Sequence, residues 1–170
     1  GGGRDGGGGV EGGGRGRALV GQAGARRPSG RRWLGHANVL SPEQRNPAEA
    51  YAVLCRMLHK AAMRLRKMNL LTGSLHIFVK FVRGGRNTDE ARFLETDDTF
   101  ELNRVIAMLW QRLGRMRRIP LAVGVTFGGL IEKMNSTPRL LGPPQQRREL
   151  NRLVDQLNIR YGKDAVYFGS

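Results

Sequence analysis

Between residues 33 and 133 the apolar positions change period several times, and each change marks an element. Trp33–Leu40 is a short apolar run closed by Ser41-Pro42 and predicts a strand. Asn46-Pro47-Ala48-Glu49 then combines a capping side chain, a proline suited to the first helical position and a glutamate three residues after the cap. Ala50, Leu54, Met57, Leu58, Ala61, Leu65 and Met68 follow at the three-to-four spacing of one buried helix face, so a helix runs to about Asn69. After Thr72-Gly73 the period drops to two. Leu75, Ile77, Val79 and Phe81 share one side of a strand; His76, Phe78, Lys80 and Val82 share the other. Arg83-Gly84-Gly85-Arg86-Asn87 predicts a reversal, with Glu90–Glu95 returning antiparallel.

Asp98-Thr99-Phe100-Glu101 has the form of a capping box. Leu102, Val105, Ile106, Leu109 and Leu113 then form a second helical stripe that ends at Gly114. Arg112, Arg115, Arg117 and Arg118 crowd its C-terminal end, where the helix dipole favours cations. Pro120 opens another strand, with Leu121, Val123, Val125 and Phe127 on one side and Ala122, Gly124, Thr126 and Gly128 on the other. That second side is nearly bare backbone, which another chain or a phosphate backbone can approach closely. The order β-α-β-β-α-β predicts an α+β, split β-α-β fold: a four-stranded, mostly antiparallel sheet with two helices on one face. Residues 134–144, with Asn135, Pro138, Gly142, Pro143 and Pro144, read as a linker. A C-terminal extension over 145–170 follows: a helix with Leu150, Leu153, Val154, Leu157 and Tyr161 on one face, then a short strand at Ala165–Phe168.

Composition adds a different N-terminal segment. Residues 1–32 hold 14 of the 25 glycines and seven arginines against Asp5 and Glu11. They offer too little apolar surface to offset backbone ordering, and disorder is expected. No Gly-Lys-Ser/Thr follows the glycines, which excludes a phosphate loop. Across 170 residues, 29 Lys+Arg face 14 Asp+Glu, a net charge of +15, which favours a polyanionic partner. The sequence has no apolar run long enough to span a membrane and no secretory signal pattern, so neither a membrane partner nor export is expected. A single cysteine rules out a disulfide framework. The first residue is Gly1 rather than methionine, as in a fragment.

The chemistry-bearing residues do not assemble into a catalytic set. His36, His59 and His76 fall in three different elements without a partner at ligand spacing. Cys55 lies mid-helix beside the apolar stripe, as a buried inert thiol would. Asp97-Asp98 precede a helix, where capping explains them better than a metal. No catalytic residue, metal site, cofactor or small-molecule substrate is expected of these residues, and a basic sheet-and-helix module remains.

Several motifs then agree with one family. His36-Ala-Asn-Val-Leu-Ser-Pro-Glu-Gln-Arg45, Leu58-His-Lys-Ala-Ala-Met-Arg-Leu-Arg66, Leu75-His-Ile-Phe-Val-Lys-Phe81, Leu94-Glu-Thr-Asp-Asp-Thr99, Leu109-Trp110 and Val123-Gly-Val-Thr-Phe127 stand in family-like order. They resemble the little-finger domain of Y-family translesion DNA polymerases of the UmuC/ImpB/MucB/SamB type. Leu153 to Ser170 resembles the short extension that ends many of them. The resemblance covers about residues 33–170, with the little finger itself over 33–133.

It implies a domain that lies along primer–template duplex and grips both backbones without sequence preference, in damage tolerance and the SOS response of a bacterial cytoplasm or nucleoid. Phosphoryl transfer and its Mg2+ ions would belong to a palm this chain does not contain, so the chain alone would not be an enzyme. Partners are then double-stranded primer–template DNA and the rest of a polymerase. The expected contacts are the outward cations Lys80, Arg83, Arg86, Arg92, Arg115, Arg117 and Arg118, with backbone amides near Gly124 and Gly128. The helical stripe Arg56, Lys60, Arg64 and Lys67 ranks below them, because the helices cover the sheet face away from DNA. Two other readings compete. A self-standing RNA- or DNA-binding module would expose stacking aromatics in its central strands, where Phe78 is the candidate. A protein-interaction domain would use the C-terminal helix.

Overall fold

Local signals set most of the elements. The structure, a computed structural model, describes residues 17–23, 31–135 and 145–161. Helix α1 (Pro47–Lys67) begins where Asn46 Oδ1 accepts the Glu49 N–H at 3.0 Å, with Pro47 at its first position. It ends at Met68, and Asn69 takes the left-handed backbone (φ 53°) that terminates a helix without glycine. Helix α2 (Thr99–Arg112) is capped by Asp98 Oδ1, which accepts the Phe100 N–H at 3.0 Å. The expected reciprocal box is incomplete: the Asp98 N–H donates to Thr96 Oγ1 at 3.1 Å, not to Glu101.

Strands β1 (Arg17–Ala23), β2 (Arg31–Val39), β3 (Leu70–Phe81), β4 (Arg86–Thr96) and β5 (Pro120–Gly128) form one sheet in the order β1-β2-β5-β3-β4, every ladder antiparallel. The split is visible in that order. β5 lies between β2 and β3, which α1 connects; β3 lies between β4 and β5, which α2 connects. A two-residue strand, β6 (Ile131–Glu132), pairs with the start of β3. Helix α3 (Gln145–Tyr161) follows.

Both main helices rest on one sheet face, α1 over β2, β5 and β3, and α2 over β3 and β4. Leu54, Leu58 and Leu65 from α1, and Leu102, Ile106 and Leu109 from α2, meet Leu75, Ile77, Val79, Val123, Val125 and Phe127, all essentially inaccessible. The alternation of β3 and β5 thus separates a core side from an open side.

Three expectations change, and the structure decides which side of the C-terminal helix meets the domain, a point that the sequence leaves open. Within the segment expected to lack order, Arg17–Ala23 instead forms an edge strand against β2; residues 1–16 and 24–30 lie outside the described residues. Its Ala18-Leu19-Val20 triplet is short, and only a waiting β2 edge makes it a strand. β4 begins at Arg86, four residues before the expected start, because the Gly84-Gly85 reversal is tight (φ 80° and 87°). Met68, assigned to the buried stripe, is 45% exposed at the α1 cap. The C-terminal helix turns a polar side, not its leucines, to the domain. Arg66 donates to both Asp155 carboxylate oxygens at 2.7 and 2.8 Å, and Asn151 Nδ2 donates to Asp98 Oδ1 at 3.1 Å. Leu150, Leu153 and Leu157 stay exposed. The linker residues 136–144 and the expected strand at Ala165–Phe168 lie outside the described residues.

Candidate nucleic-acid interface

The open side of the sheet is built by strand parity. On β3 it carries Ser74, His76, Phe78 and Lys80; the paired positions on β4 are Arg92, Glu90, Thr88 and Arg86. On β5 they are Gly128, Thr126, Gly124 and Ala122. Trp33, Gly35 and Ala37 of β2 share that side. Lys80 and Arg86 are direct cross-strand neighbours, an unfavourable like-charge juxtaposition that an incoming anion relieves.

The predicted contacts divide into three groups. Lys80 and Arg86 on the open face, with Arg83 in the adjoining β3–β4 turn, form a continuous exposed group. None of the three side chains makes a hydrogen bond or ion pair with a described residue. Arg92 shares the face but lies six residues along β4 from Arg86, about 20 Å away at roughly 3.3 Å per residue. Its side chain is 81% accessible and 3.7 Å from Glu90, too loose to neutralise it.

The connection after α2 supplies the second group. Arg115 and Arg117 line a hollow of about 390 Å3 with Pro47, Trp110, Gly114 and Met116. The hollow lies between the start of α1 and the end of α2, so these two arginines belong to the helix side of the domain. The reason is positional. The segment leaves α2 in the helix layer and reaches the sheet only where the Val82 N–H meets Ile119 O at 3.0 Å.

Arg118, a member of the predicted contact set, is committed to the fold. Its guanidinium stacks 4.2 Å over the Phe81 ring and donates to Gly84 O at 3.3 Å and Asn87 Oδ1 at 3.4 Å. It also fills the space that a side chain at Gly85 would need. Arg118 thus braces the turn that presents Arg83 and Arg86.

The third group is the two glycines, whose bare faces are already occupied. A Cβ at Gly124 would collide with the Phe78 ring, and one at Gly128 would lie 2.6 Å from Ser74 Oγ. At Gly124 β5 is paired on both edges, with Ala37 of β2 and Phe78 of β3, whereas Gly128 is paired with Ser74 of β3 alone. Close approach does occur at both glycines, and the approaching groups are side chains of β3.

Two histidines are held neutral. His76, on the open face, has its pKa lowered by burial first and then by Arg86, against the opposing pull of Glu90 and Asp89. His36 faces α1, 8% exposed, and is lowered to about 4 by burial, then by Arg64 and Lys60. Asp97 and Asp98 serve structure: Asp97 pairs with Lys133 at 2.7 Å, and Asp98 caps α2. Among the described residues, no three His, Cys, Asp or Glu cluster as a metal site, and no helix is long and apolar enough to cross a membrane. The residue missed from sequence was Trp33. Its open-face position follows from the parity of β2, which a single apolar run without clear alternation does not reveal.

The family model described as the impB/mucB/samB family C-terminal domain matches residues 31–141. The chain belongs to that family. No curated protein matches. Among solved structures, this impB/mucB/samB domain is similar to the insertion ternary complex of Dbh DNA polymerase and to DinB from Sulfolobus solfataricus. Each has 16% identity and a TM-score of 0.50, covering 59% of this chain and 29% of that one. The little-finger domain of PolIV, in complex with the beta-clamp processivity factor, aligns at 18% identity and a TM-score of 0.46, over 66% of this chain and 98% of that one. The impB/mucB/samB domain therefore shares its fold with part of Dbh and DinB and spans under a third of each.

Proposed function

We propose that the domain holds the duplex behind a translesion polymerase active site, binding primer–template DNA through the open sheet face without reading sequence. The observation that carries this reading is the Lys80, Arg83 and Arg86 group. Two exposed cations on the face opposite the helices and a third in the adjoining turn have no described acceptor, beside a strand of small residues. Cations without a carboxylate partner among the described residues are free to neutralise phosphates and release counterions. Their ligand is the sugar–phosphate backbone, which carries little sequence information. Family membership and the shared fold support the same reading. Phosphoryl transfer would reside in another part of the polymerase, and the chain contributes grip, not chemistry.

Filter binding of a mixed-sequence primer–template across 50–400 mM salt tests the proposal. Log affinity should fall linearly with log salt, with a slope of about −3 or steeper for three or more phosphate contacts. Affinity independent of salt, or no binding at 50 mM, overturns it. Trp33 gives the single-strand reading one half-buried aromatic on the face, so preference for single-stranded RNA over duplex DNA would favour that alternative.

A further inference from the structure

Phe78, Gly124 and Arg86 come from three adjacent strands and meet at one point on the open face. Phe78 and Gly124 are direct partners in the β3–β5 ladder, and Arg86 is the diagonal neighbour of Phe78 in the β3–β4 ladder. The Phe78 ring leans across the bare backbone of Gly124, in space that even a methyl group would occupy. The Arg86 guanidinium lies 4.1 Å from the ring centroid. It makes no hydrogen bond or ion pair with a described residue. Its charge rests on an aromatic face while its N–H donors remain unspent.

We infer that Gly124 and Phe78 are positioning residues for Arg86, together forming a bracket that presents one guanidinium to one backbone phosphate. A long arginine free in solvent loses rotamer freedom when it grips a phosphate. Here the aromatic face removes much of that freedom in advance, and the planar fork keeps its bidentate geometry for a phosphate. The glycine is the origin of the arrangement: any side chain at position 124 evicts the ring, and the guanidinium loses its seat. The same contact withdraws the Phe78 ring from base stacking, so the face at this point takes a phosphate, not a base. The inference rests on the proposed duplex grip and assigns its best-ordered contact.

The test uses fluorescence anisotropy of the full chain with a labelled mixed-sequence primer–template between 50 and 400 mM salt. Arg86→Ala should reduce the salt slope by about 1 and weaken binding about eightfold at 0.1 M salt, the effect of losing one phosphate contact. Gly124→Ala should weaken binding several-fold in the native background and have no effect when Arg86 is already alanine. Phe78→Leu, which keeps an apolar side chain but removes the ring, should reproduce Gly124→Ala and covers the case in which that variant fails to fold. This non-additivity is what a merely structural role would not produce. Salt-dependent binding by the native chain, with Arg86→Ala or Phe78→Leu equal to it, overturns the bracket alone. Phe78→Leu and Arg86→Ala losses that simply add in the double variant also overturn it. Absence of salt-dependent duplex binding by the native chain overturns the proposed function itself.

Discussion

Replacing Asp155 with alanine should release the C-terminal helix while leaving the sheet intact. Arg66 and Asp155 have side chains only 15% and 17% accessible, joined by two donations at 2.7 and 2.8 Å. Arg66 also donates to Asp97 O at 2.7 Å and Thr99 Oγ1 at 2.9 Å, which ties α3 to the start of α2. Breaking a buried pair by removing one partner costs about 3–5 kcal/mol. Arg66 retains two acceptors and regains water once α3 lifts, so about 2–3 kcal/mol is the expected loss, and it falls on helix docking. Exposed Leu150, Leu153 and Leu157 contribute little to holding the helix down. Amide hydrogen exchange measured by mass spectrometry on peptides from 145–161 reports the docking equilibrium. A loss of 2–3 kcal/mol corresponds to about 30- to 150-fold faster exchange there. Peptides from β3 and β5 should be unchanged. Unchanged exchange in 145–161, or complete exposure of that helix in the native chain, refutes the reasoning.

His36 makes stability depend on pH with a definite sign. Its folded pKa of about 4 lies below the unfolded value of 6.5, so the unfolded chain binds the extra proton. Its contribution is intact above about pH 6.5, falls as pH drops toward 4 and is constant below. The limit is on the order of 3 kcal/mol from a 2.5-unit difference. Urea unfolding at pH 7 and pH 4.5 should show that loss shrinking in His36→Gln; an identical loss in the variant contradicts it. Cys55 is buried, and burial raises its thiol pKa, so a disulfide-exchange reagent at pH 8 should label it only at the rate of unfolding. Immediate stoichiometric labelling of the native protein would show the thiol to be accessible.

Legibility from sequence followed the range of each signal. Asn46-Pro47 and the two-residue rhythm of Leu75 to Phe81 act over a few residues; α1 begins at Pro47 as expected, and β3 ends at Phe81 but starts earlier, at Leu70. The parity that places Lys80 opposite Ile77 and Val79 is likewise local, which is why its outward direction was readable. β1 was not readable, because seven residues in a glycine-rich stretch become a strand only through pairing with β2. Arg66 and Asp155 are 89 positions apart, and nothing in the spacing links them. The charges of Arg83 and Arg118 look alike in sequence. The fold distinguishes them, since Phe81, Gly84 and Asn87 engage only Arg118. Gly124 and Gly128 were correctly read as sites of close approach, but the approaching groups are Phe78 and Ser74.

The direct test of the central claim compares two charge-neutralised proteins in the same duplex titration. One carries Lys80→Gln and Arg86→Gln on the open face with Arg83→Gln in the adjoining turn; the other carries Arg56→Gln, Arg64→Gln and Lys67→Gln on α1. Each loses three positive charges, so net charge cannot explain a difference between them. The open-face protein should lose about three units of salt slope and most of its affinity, while the helix protein binds nearly as the native chain does. Equal losses, or a larger loss from the α1 changes, would contradict a grip through the open sheet.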